Sequence, residues 1–118
     1  ILLRGKNRMR QIKIKNQEMQ VKVAENPLKR AIGLSMRKKG KMLFKFPKET
    51  KAPIDMMLMR GSLHLYFINS KQKVTHTEKA EPWYRLPEKY FHRPKTSYKY
   101  LLESFVQLDL EKGDKVCF

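Results

Sequence analysis

Residues 62–70, SLHLYFINS, decide the reading of the fold. In an extended chain successive side chains point to opposite faces. Leu63, Leu65, Phe67 and Asn69 then share one face, and His64, Tyr66 and Ile68 share the other. Both faces carry aliphatic or aromatic groups, so neither is a plain solvent face. The segment reads as a central strand covered on both sides. Gly61-Ser62 interrupts the pattern before it, and Asn69-Ser70-Lys71-Gln72 has the composition of a hairpin turn after it.

Working outward, residues 73–79 alternate again and complete a hairpin with the central strand. Upstream, Met42, Phe44 and Phe46 share a face of a strand that Pro47 should end. Residues 54–59, IDMMLM, read as an apolar strand holding one acid, Asp55. Residues 11–16 and 18–24 alternate with Ile12, Ile14, Met19, Val21 and Val23 inward, as in a half-buried hairpin. Residues 96–103 place Tyr98, Tyr100 and Leu102 on one face. Residues 105–111 suggest a single helical turn, and 115–118 a last short strand. Asn26-Pro27 is a helix start: Asn caps free N–H groups and Pro suits the first helical position. The pattern predicts a mainly β (α+β) fold: a small antiparallel β-barrel or sandwich of six to seven short strands, with one clear helix packed at one end.

The chain of 118 residues fits a single domain, 1–118, with residues 1–10 as a flexible basic arm or short edge strand. The net charge is +16, and residues 1–51 hold 16 Lys and Arg against only Glu18, Glu25 and Glu49. Such an excess attracts polyanions and speaks about partners rather than fold. The plainer reading is a lysine-rich surface that keeps the protein soluble. No apolar run approaches the roughly 20 residues of a membrane helix. The lone Cys117 excludes an internal disulfide, fits a reducing, cytoplasmic compartment, and is expected as a small buried residue of the last strand. Because the chain starts at Ile1, an upstream signal or anchor stays open.

Several segments, taken in order, match one family pattern. They are VKVAENPLKRAIGLSMR, KMLFKF, SLHLYFIN, KVTHTEKAEPW, YKYLLES and KGDKV. In this order and spacing the chain resembles the family called domain of unknown function 192, over roughly residues 19–118. Ala24, Pro27, Arg30, Gly33 and Leu34 fit its opening, and Leu43, Phe44 and Phe46 its second block. Leu63, Phe67 and Ile68 fit the central strand, and Pro82, Trp83, Leu102, Glu103, Gly113 and Asp114 the remainder. The chain departs from the pattern at Ser35, Lys41 and His64, and in residues 54–60. The resemblance implies a compact β-rich domain and no agreed activity; a family site built on the Asp replaced by His64 would be altered or lost.

Three constellations could carry function. His64 and His76 sit on paired strands, but a zinc site needs three or four ligands, so neither a metal nor a cofactor is expected. Glu103 lies in an apolar strand, where a buried acid is costly unless paired. Arg30 or Arg60 is its expected partner; the functional alternative is a ligand cleft of Arg30, His64 and Glu103. Ser35, His64 and Asp55 lack the context of a catalytic triad, so no catalytic residue is assigned. The third constellation is basic and aromatic: Arg37, Lys38, Lys39 and Lys41, with Trp83, Tyr84, Arg85, Tyr90 and Arg93 from the long loop 81–95. Cationic grooves with aromatic platforms bind single-stranded nucleic acid. The chain is therefore expected to be a monomeric, non-enzymatic binding module for a polyanion or nucleic acid. The alternatives are a small-ligand binder or weak enzyme using the cleft, and a structural protein whose charge serves solubility.

Overall fold

The structure, a computed structural model, describes residues 8–15, 17–25, 39–55, 61–81, 91–92 and 94–118. Nine strands follow in chain order: β1 (Arg8–Ile14), β2 (Gln17–Ala24), β3 (Lys41–Thr50), β4 (Ile54–Asp55), β5 (Leu63–Ile68), β6 (Val74–Ala80), β7 (Phe91–His92), β8 (Tyr98–Ser104) and β9 (Val116–Cys117). Seven form one sheet in the order β6-β5-β8-β3-β2-β1-β9, while β4 and β7 pair as a separate ribbon.

The sheet curls into a half-barrel. Its edge strands β6 and β9 are drawn together by a bridge between Lys73 and Lys115. There Val74 donates its N–H to the Asp114 carbonyl at 2.8 Å, and Gly113 donates to the Val74 carbonyl at 2.7 Å. Gly113 holds φ at +97°, which glycine adopts without steric cost. Two apolar clusters occupy the two faces. The inner one takes Ile12, Leu43, Ile68, Leu102 and Val116, with contributions from all seven strands. Leu108 and Leu110, from the segment between β8 and β9, join it. The outer cluster takes Met42, Phe44, Leu65, Phe67, Tyr98 and Leu101, with Ile54 of the ribbon.

The central-strand reading holds. β5 lies between β6 and β8, with Leu63, Leu65 and Phe67 in the outer cluster and Tyr66 and Ile68 in the inner one. Its turn is built as the sequence suggests: the Asn69 side chain accepts the N–H groups of Lys71 and Lys73 at 2.9 and 3.0 Å.

Other expectations are corrected. One pair, β2 with β3, is parallel, because the connection from Glu25 to Gly40 is long enough for a crossover. Pro47 does not end β3, which runs on to Thr50. The register against β8 jumps between Lys45 and Thr50, so Pro47 owes no ladder hydrogen bond. The same jump places Tyr98 in the outer cluster while Tyr100 packs on the inner one, so the two do not share a face. Residues 105–111 make bends rather than a helical turn. Ser104 directs them, its Oγ donating to the Val106 carbonyl at 2.7 Å and accepting the Val106 N–H at 3.1 Å. Cys117 is exposed, on the outward side of β9, while Val116 takes the buried position. The helix expected from Asn26, and most of the apolar run 54–59, lie outside the described residues, among which there is no helix. None of the described residues lies in a helix long and apolar enough to cross a membrane.

Candidate functional site

Residues paired across a sheet point their side chains to the same face. Lys41 of β3 pairs with Ser104 of β8, Ser104 with His64 of β5, and His64 with Lys79 of β6. These four form a cross-strand ladder at one end of the inner face, with neighbours spaced by roughly 4.8 Å. Lys79 is exposed, Lys41 and His64 are half-buried, and Ser104 is buried. Lys79 is held only loosely, 3.9 Å from Glu81, whose other oxygen accepts the Ser62 hydroxyl at 2.7 Å.

A groove of about 330 Å³ opens beside the ladder, lined by His64, Tyr66, Thr77, Lys79, Gln107 and Leu110. Its floor is fixed. The Tyr66 hydroxyl accepts the Leu108 N–H at 2.8 Å and donates to the Leu108 carbonyl at 3.4 Å, which ties the 105–111 segment across the half-barrel. Burial raises the Tyr66 pKa, and its hydrogen bond to the Leu108 backbone opposes that shift.

The opposite face is different. Glu103 pairs with Met42 on one side and Leu65 on the other, inside the outer apolar cluster. It is 6% exposed. Among the described residues it has no hydrogen bond or ion pair. Burial pushes its pKa up to about 8, so at neutral pH it is mostly the uncharged acid. Nearby Tyr98 donates its hydroxyl proton to the Ala52 carbonyl at 2.7 Å. Burial, and then the charge of Glu103, push the Tyr98 pKa up to about 12.

His64 and Glu103 therefore sit on opposite faces and share no cleft, while Arg30 and Arg60 lie outside the described residues. The expected Glu103 salt bridge to either arginine likewise falls outside them. His64 and His76 also diverge: His76 pairs with Phe67, stacks on its ring at 5.6 Å and reaches Glu78 at 3.4 Å on the outer face. Among the described residues no three His, Cys, Asp or Glu groups are placed to hold a metal. Of the basic and aromatic set, Lys39 is exposed and Lys41 stands on the ladder. Arg37, Lys38, Trp83, Tyr84, Arg85, Tyr90 and Arg93 lie outside the described residues. Sequence reasoning missed Lys79, Thr77 and Gln107. A bulge at Thr75 shifts the hairpin register between Phe67–His76 and Ile68–Val74, and that shift alone brings Lys79 opposite His64.

Comparison with known proteins agrees with this architecture. A UPF0127 protein of Pyrococcus furiosus is 31% identical over 105 residues, covering 83% of this chain and 85% of its own. A UPF0127 protein of Pyrococcus abyssi is 33% identical over 106 residues, covering 84% of this chain and 86% of its own. The crystal structure of a Sinorhizobium meliloti protein, described provisionally as a transcription regulator, superposes with a TM-score of 0.81 at 20% identity, over 93% of each chain. A Novosphingobium aromaticivorans protein of unknown function superposes with a TM-score of 0.75 at 17% identity, over 93% of this chain and 85% of that one. These two likenesses concern the fold. The family model for DUF192, described as Uncharacterized ACR, matches residues 10–118, and the chain belongs to that family.

Proposed function

We propose that this domain is a non-enzymatic binding module for a polyanion, with single-stranded nucleic acid as the first partner to test. The observation that carries the reading is the ladder Lys41–Ser104–His64–Lys79, which gathers cations at one end of the inner face of a chain with net charge +16. Exposed Lys39 stands two residues before it. A phosphate backbone laid across the ladder would release counterions, the main source of affinity in such complexes.

The test is a titration of fluorescent single-stranded RNA and DNA at ~50 and ~200 mM salt, with the unmodified chain and a Lys41→Ala/Lys79→Ala double variant. Binding is expected to weaken steeply with salt. The double variant should flatten the log–log slope by roughly 0.7 per lost phosphate contact. An unchanged slope would remove the ladder from the interface. Absence of binding at ~50 mM salt would reject the partner class.

A further inference from the structure

We propose that the groove beside His64 is a binding site for one small organic anion, a phosphate monoester carried on a compact, partly apolar body. The inference uses the same cationic ladder as the polyanion reading but asks for one compact recess rather than a continuous track.

Three observations carry it. The first is chemical order along the groove. Lys79 and His64 stand on the ladder at its rim, the Thr77 hydroxyl and Gln107 amide line its sides, and the Tyr66 ring and Leu110 supply apolar floor. A phosphate monoester presents three strong acceptor oxygens and up to two negative charges. The Lys79 ammonium, His64 imidazole and Thr77 hydroxyl offer it donors, while the floor accepts an aliphatic or planar body. Leu65 and Glu78 border the groove, but their side chains belong to the outer face. Glu78 reaches His76 there at 3.4 Å, on the side away from the groove's donors.

The second observation is size. About 330 Å³ lies at the low end of the roughly 300–1,000 Å³ of small-molecule sites, enough for one compact ligand. The third is rigidity. The wall formed by residues 105–111 is tied to the floor by both Tyr66–Leu108 hydrogen bonds and to β8 by the two Ser104–Val106 bonds. A preformed wall spares the ligand an ordering cost. The only described tether on Lys79 is a 3.9 Å contact with Glu81, the kind of surface pair that contributes little and yields to a better anion.

The experiment titrates the full isotope-labelled chain with phenyl phosphate, inorganic phosphate and benzyl alcohol, read by backbone amide chemical shifts. Phenyl phosphate is expected to saturate, with shifts confined to residues 64–66, 77–79 and 107–110. Its affinity should exceed that of either fragment by about tenfold or more, because both ends of the groove contribute. His64→Ala and Gln107→Ala should each weaken it by roughly fivefold or more while the remaining spectrum is preserved. Equal affinity for phenyl phosphate and inorganic phosphate would reduce the effect to charge attraction and overturn the inference. So would shifts scattered over the lysine-bearing surface. Oligonucleotide binding without phenyl phosphate binding would overturn the groove site and leave the polyanion reading standing. The reverse result would retain the site and reject the polymer.

Discussion

Glu103 and Ser104 are neighbours in the chain and belong to opposite worlds. Glu103 faces the outer apolar cluster, between Met42 and Leu65, with no partner among the described residues. Ser104 faces inward, on a row with Lys41, His64 and Lys79 that ends in water. The same contrast separates Leu65 from His64 on β5. One face holds a buried carboxyl, Glu103, in apolar surroundings, where charge is costly. The other gathers positive charge at its rim, where it remains hydrated and available. The outer face is filled by an apolar cluster, whereas the inner face pairs an apolar cluster with an open polar end, the end to which the proposed function assigns recognition. That division makes different mutations costly in different ways.

The largest effect tests the division directly. Phe67 is fully buried in the outer cluster, with its ring 5.0 Å from that of Tyr98 and 5.6 Å from that of His76. Phe67→Ala should cost about 3–5 kcal/mol of unfolding free energy in urea titrations. His64→Ala, three residues away on the other face, should stay within about 0.5 kcal/mol. Comparable losses for the two would show that His64 is a core residue and break the comparison.

The next effect sharpens it through pH. The Glu103 carboxyl is raised from the ordinary 4.5 to about 8 by burial, so the folded state holds a proton that the unfolded chain releases. Its contribution to stability is complete below about pH 4.5, is lost progressively as pH rises, and stops changing above about pH 8. By pH 7 the loss is on the order of 3 kcal/mol. Glu103→Gln should therefore be more stable than the parent at pH 7 by up to that amount, with the gap closing toward pH 4.5. Equilibrium unfolding at pH 5, 7 and 8.5 reads it. A parent that gains stability across this range would mean that the carboxylate is paired in solution.

Two tyrosines probe the faces at smaller scale. Tyr66→Phe leaves the buried N–H of Leu108 without its acceptor and should cost about 1–3 kcal/mol. Tyr98→Phe removes one part-buried hydrogen bond to the Ala52 carbonyl and should cost about 1 kcal/mol. Thermal unfolding of the pair ranks them. The reverse order would mean that the 105–111 wall is not anchored through Tyr66.

Much of this contrast was legible in the sequence. The two-faced alternation of 62–70 gives β5 and its place in the sheet, and Asn69 gives the turn by its own side-chain hydrogen bonds. Glu103 stands out in the sequence as an acid in an apolar strand. What could not be read depends on register. The Thr75 bulge and the slip between Lys45 and Thr50 each move residues relative to a partner strand without leaving a mark in the alternation. Hence alternation alone neither matches Lys79 with His64 nor separates Tyr98 from Tyr100. The expected cleft of Arg30, His64 and Glu103 rests on side-chain chemistry; parity through β5 and β8 separates His64 from Glu103, and Arg30 lies outside the described residues.

The smallest effect concerns the ladder's own counter-charge. Glu81 accepts the Ser62 hydroxyl at 2.7 Å and stands 3.9 Å from Lys79, so it tempers the positive rim without locking it. Glu81→Gln keeps an acceptor for Ser62 and removes the negative charge. Stability should move by no more than about 0.5 kcal/mol. Affinity for oligonucleotide or phenyl phosphate should rise about two- to fivefold at low salt, the range spanned by one weak surface ion pair, and the gain should fade as salt screens the rim. Binding curves for parent and variant at two salt concentrations decide it. A loss of affinity in the variant would make Glu81 part of the binding surface and place the open end of the inner face under mixed charge rather than positive charge alone.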